Sequence, residues 1–152
     1  LNKKGKNIEA TLCGGGYEST KKEWGHIKGL RFVGKVPPGE MEKYYENAGI
    51  YVSTSKYDAG ISAGTAEAMA MELPVIVSDV CENKSWIENG KNGLLFEYGN
   101  EKDLSKKIEY LLEHPNERRK LGENARRIIV QKNDYATEME KMSKIYKSLL
   151  GC

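Results

Sequence analysis

Hydrophobic and polar positions follow two rhythms along the chain: short apolar runs, and longer stretches that carry a helical stripe. The short runs are IEATLCGGG (8–16), LRFVGKV (30–36), GIYVSTS (49–55), PVIVSD (74–79) and GKNGLLFEY (90–98), read as strands with their bounding turns. Helical stretches alternate with them. One is polar and follows Gly16; PPGEMEKYYENA (37–48) has Met41, Tyr44, Tyr45 and Ala48 at helical spacing; a third carries Glu67; a short one surrounds Lys84–Glu88. Beyond Asn100, a cap candidate, three stripes follow in turn. They are Leu104, Ile108, Leu111 and Leu112; Leu121, Ala125, Ile128 and Ile129; and Met139, Met142, Ile145, Tyr146 and Leu149. Strands alternating with helices predict an α/β fold on a Rossmann-like, doubly wound parallel sheet with right-handed connections. PVIVSD carries a continuous apolar run, as expected of a strand buried on both faces. The final helix, 134–150, is very polar outside its stripe, which is expected to pack on something this chain does not contain.

Composition narrows the class. At 152 residues, 39% apolar and 30% charged, the chain is about one globular domain, expected as a single unit over 1–152. No apolar run approaches the ~20 residues that span a bilayer. Lys plus Arg (24) nearly balances Asp plus Glu (22), so bulk charge gives no case for a nucleic-acid partner. Cys13, Cys81 and Cys152 have neither metal spacing nor a disulfide framework, and reduced thiols in a cytoplasmic protein are expected. His26 and His114 are isolated, and the sequon at Asn83 has no meaning in a protein that is not secreted. The chain begins at Leu1 rather than Met, which points to a fragment.

The candidate chemistry lies in YDAGISAGTAEAMAMELPVIVSD (57–79). Gly60 and Gly64 let the backbone approach a ligand closely, and Ser62 is a candidate N-cap. The amides of Ala63, Gly64 and Thr65 then stand at the positive end of a helix dipole, which suits phosphate. Glu67 sits about one turn in, and helical side chains lean towards the N-terminus, so its carboxylate reaches back over that turn. Amides for phosphate and an acid for a vicinal diol describe a nucleotide site. Close packing of a small-residue helix on the sheet, with Glu67 merely exposed or capping, explains the same residues.

Two linked motifs, TAEAMAMELPVIVSD and NGKNGLL, with LRFVGKVPPGEMEKYYENAGIYVSTS upstream, resemble the donor-binding half of group 1 (family 4) glycosyltransferases of the GT-B fold. The resemblance spans roughly residues 8–131. It implies retaining, metal-independent transfer of a hexose from a nucleoside-diphosphate sugar to a glycan or lipid acceptor, with no cofactor. By resemblance, Glu67 binds the ribose hydroxyls and Val36 contacts the base. The loop Ala59, Gly60, Ile61, Ser62 and Ala63, with Gly64, holds the donor sugar and phosphates. The acceptor-binding N-terminal domain and the diphosphate-clamping Arg and Lys are expected outside this chain, so the chain alone is expected to be inactive. Peripheral association of the whole protein with the inner membrane face is a further expectation.

The sequence departs from the family pattern in three places. The first motif acid falls on Ala59; Asp58, one residue earlier, is the candidate for orienting the donor sugar, with a turn-forming role as its alternative. Glu72 stands where Gly is usual at the helix end. Cys81–Ser85 replaces the usual Gly-rich loop near the sugar. A non-catalytic interaction module, or another GT-B enzyme such as a sugar-nucleotide epimerase, are the other readings. Trp24 and Trp86 are expected as packing residues.

Overall fold

The structure is a computed structural model and describes residues 8–16, 18–37, 39–57 and 60–151. It divides into two compact units, Leu1–Asn47 and Ala48–Cys152. Both are α/β with parallel strands, as the alternating pattern predicts.

In the first unit, β1 (Ala10–Cys13) pairs in parallel with β2 (Leu30–Gly34), Ala10 opposite Leu30. The register shifts by one residue at the end, where Cys13 faces Gly34. The polar helix α1 (Glu18–Trp24) between them buries no residue, and Trp24 is exposed rather than packed. Helix α2 (Glu42–Glu46) is shorter than its apolar spacing predicts. A turn from the Pro37 carbonyl to the Glu40 amide (3.1 Å) takes up the first residues, so only one helical turn and a half remains to bury Tyr45.

The second unit holds the sheet β3 (Tyr51–Ser53), β4 (Val75–Ser78) and β5 (Leu94–Phe96), with β4 in the centre. Every residue of β4 is buried, as an apolar run covered on both faces should be. Five helices accompany it: α3 (Ala63–Ala70), α4 (Asn83–Trp86), α5 (Glu101–Glu113), α6 (Pro115–Asn133) and α7 (Tyr135–Leu150). Ile76, Leu94, Phe96, Leu111 and Leu121 form the core, with Ile50, Leu104 and Ile108 packed against it. Each such side chain stabilises the fold by roughly 1.5–3 kcal/mol. Asn100 caps α5 as expected, accepting from the Asp103 amide at 3.0 Å.

Helix α3 stops through backbone bonds that fix its last turn. The Glu72 amide donates to Met69 (3.1 Å) and the Leu73 amide to Ala68 (3.0 Å), the paired pattern of a left-handed cap. Glu72 supplies that left-handed residue at φ 59°, at a cost of about 1 kcal/mol for a residue with a side chain. Helix α6 closes over the cap. A Cβ on Gly122 would lie 2.0 Å from the Glu72 carbonyl oxygen, so only glycine admits this approach. Arg126, one turn further, donates to the Ala70 carbonyl and lies 3.6 Å from the Glu72 carboxylate.

The NGKNG segment is a self-bonded turn leading into β5. Buried Asn92 accepts from the Glu88 amide (2.7 Å) and donates to the Trp86 carbonyl (2.8 Å). Asn89 accepts from the Leu95 amide at 2.9 Å. The last helix, α7, starts at Asp134, which accepts from the Thr137 amide (2.9 Å) and hydroxyl (2.7 Å). Its stripe, Met139, Met142, Ile145, Tyr146 and Leu149, is exposed along its whole length.

Candidate functional site

The carboxyl ends of β3, β4 and β5 are braced by side chains that sequence reading had not singled out. The Ser78 hydroxyl, at the end of β4, donates to the Ser55 carbonyl beyond β3 at 2.6 Å. Buried Asn83 donates to the Ser78 carbonyl at 3.0 Å. Asp79 accepts from the Tyr98 amide at 3.1 Å while its own amide donates to Phe96 at 2.8 Å, and Lys84 stands 3.6 Å from its carboxylate. The three loops therefore leave the sheet edge tied to one another. A polar residue ending an apolar strand, as Ser78 and Asp79 do, was the available signal.

The loop entering α3 follows β3 in the chain. Gly60 has φ 103°, a conformation that a residue with a Cβ rarely adopts, and no atom crowds the space where a Cβ would lie. Ser62 is extended and caps α3, its hydroxyl accepting from the Thr65 amide at 3.3 Å and pairing with the Thr65 hydroxyl at 2.8 Å. That bond takes one of the three amides that the sequence offered to an anion. Thr65 is buried, whereas Ala63 is exposed at the helix start. Glu67 is exposed on the next turn, and its carbonyl accepts from Met71 at 3.0 Å.

Gly60, Ile61, Ser62, Ala63, Gly64 and Glu67 thus lie on one loop and the first turns of one helix. Asp58 and Ala59, the candidates for the first motif acid, lie outside the described residues. Val36 belongs to the first unit, half-buried two residues beyond β2. Cys81, in the loop after β4, is left-handed at φ 48° with its sulfur 4.0 Å from the Lys56 carbonyl. In the first unit, desolvation pushes the Cys13 thiol up against the lowering pull of Arg31, the reverse of what activates a nucleophile. Among the described residues, no three His, Cys, Asp or Glu side chains gather as a metal site. No helix among them is long and apolar enough to cross a membrane.

Residues 1–128 match the family model for glycosyl transferases group 1. The chain belongs to that family. Spore coat protein SA of Bacillus subtilis (strain 168) is 28% identical over 119 residues, 78% of this chain and 32% of that relative. Sucrose-phosphate synthase from Thermosynechococcus elongatus superposes with a TM-score of 0.84 at 25% identity, over 93% of this chain and 38% of that one. Anabaena HepE, solved with UDP-glucose, gives a TM-score of 0.81 at 20% identity, over 92% of this chain and 41% of that one. The chain spans between 22% and 32% of the length of seven curated relatives that it matches. The resemblance carried by TAEAMAMELPVIVSD and NGKNGLL therefore identified the group 1 transferase family and its α/β fold correctly.

Proposed function

We propose that this chain is the nucleotide-sugar-binding part of a retaining glycosyltransferase that moves a hexose from a nucleoside-diphosphate sugar to a glycan or lipid acceptor. The observation that carries the reading is the capped start of α3, with Glu67 exposed one turn in. A carboxylate there accepts two hydrogen bonds from vicinal ribose hydroxyls, a charge-assisted pair about twice as strong as a neutral one. The amide end of α3 meets the diphosphate charge, supported by its dipole. This stabilisation grows as the sugar–phosphate bond breaks and negative charge collects on the leaving diphosphate.

The remaining roles extend the same proposal. Gly60, Ile61, Ser62, Ala63 and Gly64 contact the donor sugar and phosphates through backbone, together with Ala59. Val36 contacts the base, and Asp58 orients the sugar. The reaction needs no metal and no cofactor. Acceptor groups, and the association of the whole protein with the inner membrane face, come from parts of the polypeptide beyond this chain. UDP-glucose bound to HepE supports a uridine nucleotide as the first donor to test.

Calorimetry with UDP, GDP, ADP and UDP-glucose tests this directly. One of them is expected to bind, and Glu67→Ala is expected to weaken it on the order of tenfold to a hundredfold, the loss of charge-assisted hydrogen bonds. No binding of any nucleotide or nucleotide-sugar by the intact protein at millimolar concentration overturns the reading.

A further inference from the structure

A groove of about 460 Å³ runs along one flank of the second unit, between α4 with its following turn and α6. None of its lining residues belongs to the loop 60–64 or to α3. Asn124, Arg127, Ile128 and Lys132 present one helical stripe of α6 to it; Lys84, Trp86 and Lys91 line the opposite wall. Four cations thus face a single carboxylate, Glu88, which is already ion-paired with Lys91. The whole chain carries a formal charge of only +2, so this concentration is local rather than a reflection of composition.

The floor of the groove is tied down by hydrogen bonds, and two of the four cations are paired, Lys91 with Glu88 and Lys84 with Asp79 at 3.6 Å, which leaves Arg127 and Lys132. Both ends of the Asn92 amide are bonded to backbone, and Asn124 donates to the Lys91 carbonyl at 2.8 Å. Arg127 has no acid or carbonyl partner among the described residues. The Lys132 ammonium stands 5.5 Å from the centre of the half-buried Trp86 ring and 3.3 Å from the Ser85 carbonyl. A cation held on an indole and a carbonyl is available to a stronger acid partner.

A preformed concave wall with an indole, an aliphatic residue and two cations without a carboxylate partner, Arg127 and Lys132, selects a ligand with a flat apolar face and repeated negative charge. A simple phosphate would use the cations and leave the indole unused. Duplex nucleic acid calls for a longer basic stripe, and the outer face of α6 interleaves Arg119 with Glu123 instead. We propose that this groove binds a chain of acidic sugars, one pyranose face against Trp86 and the acid groups on Arg127 and Lys132. On binding, the Lys132 ammonium turns from the indole to the ligand acid and frees the ring face.

Calorimetry on the intact protein with a galacturonic acid hexasaccharide tests this, with maltohexaose as the uncharged control and tripolyphosphate as the sugar-free anion. The acidic sugar is expected to bind, weakening about tenfold or more between roughly 0.05 and 0.5 M salt as the charges are screened. Arg127→Glu with Lys132→Glu is expected to abolish binding, Arg127→Gln to weaken it less, and Trp86→Leu to weaken the sugar but not tripolyphosphate. Unchanged thermal unfolding of the exposed-site variants shows that they fold. The proposal is overturned if the hexasaccharide fails to bind at millimolar concentration, or if maltohexaose binds equally. It is also overturned by binding that survives the double charge reversal, or by tripolyphosphate binding as tightly as the sugar with Trp86 indifferent.

Discussion

Helices α6 and α7 follow one another and carry apolar stripes of similar regularity, yet their fates differ. Helix α6 buries Leu121, Ala125 and Ile129, whereas α7 buries nothing. The difference lies in what each helix offers a neighbour. At Gly122, α6 has a gap in its own surface that receives the carbonyl of Glu72, and Arg126 ties the same turn of α3 from the side. Helix α7 has only the stripe. Periodicity states that a face needs cover; shape and specific bonds decide which neighbour supplies it.

Breaking the α6 contact should have the largest effect. Gly122→Ala puts a methyl group into the Glu72 backbone carbonyl and is expected to destabilise the second unit by ~3 kcal/mol or more. Chemical unfolding measures it. A loss below about 1 kcal/mol would mean that α6 can lift away from the cap without consequence. The same experiment on α7 should give almost nothing. Met142→Ser with Ile145→Ser is expected to change the stability of this chain by no more than about 0.5 kcal/mol, because both side chains are already in water. A drop well beyond that would show that the stripe is covered after all.

The smallest effect separates the two helices by pH. The Thr137 hydroxyl, and then its amide, holds the Asp134 carboxyl below the usual aspartate range. A group whose folded pKa is depressed contributes stability above its unfolded value, about 4, and loses it as pH falls through the folded value. The first turn of α7 is therefore expected to fray in acid while the buried centre of α6 stays protected. Protection factors for amide exchange at Thr137 and Glu138, corrected for the intrinsic rate at each pH, read this, and Asp134→Ala should remove their pH dependence. Protection that does not change between neutral and acid pH would rule out Asp134 as the cap that holds α7.

The features legible in the sequence were those decided within a few residues. Ser62 and Asn100 bond to amides three positions on, so their identity as caps is local information. The apolar run 74–77 became the heart of the buried central strand because nothing polar interrupts it. Contacts between distant positions were not legible. The meeting of Gly122 with Glu72 joins residues fifty positions apart, and neither residue alone announces it. The left-handed backbone at Cys81 was equally hidden, since cysteine carries no preference for it. At the candidate site, the cap was read correctly, but its consequence was missed: a hydroxyl that caps a helix also withdraws an amide from any anion. Glu72 was the reverse case, an unusual residue noticed at the helix end that proved to hold the left-handed conformation glycine would hold more cheaply.

The NGKNG turn has a consequence for how descendants of this gene would look. Its asparagines face their own backbone and hold β5 in place, with Asn92 buried. A copy whose proposed activity had lapsed, but whose fold was still required, would need them in order to fold. Gly60 faces open space and carries no such duty to the scaffold, although Ser62 beside it caps α3. Such a copy would therefore go on displaying the turn by which the family is noticed, while change came sooner at Gly60 than at Asn92.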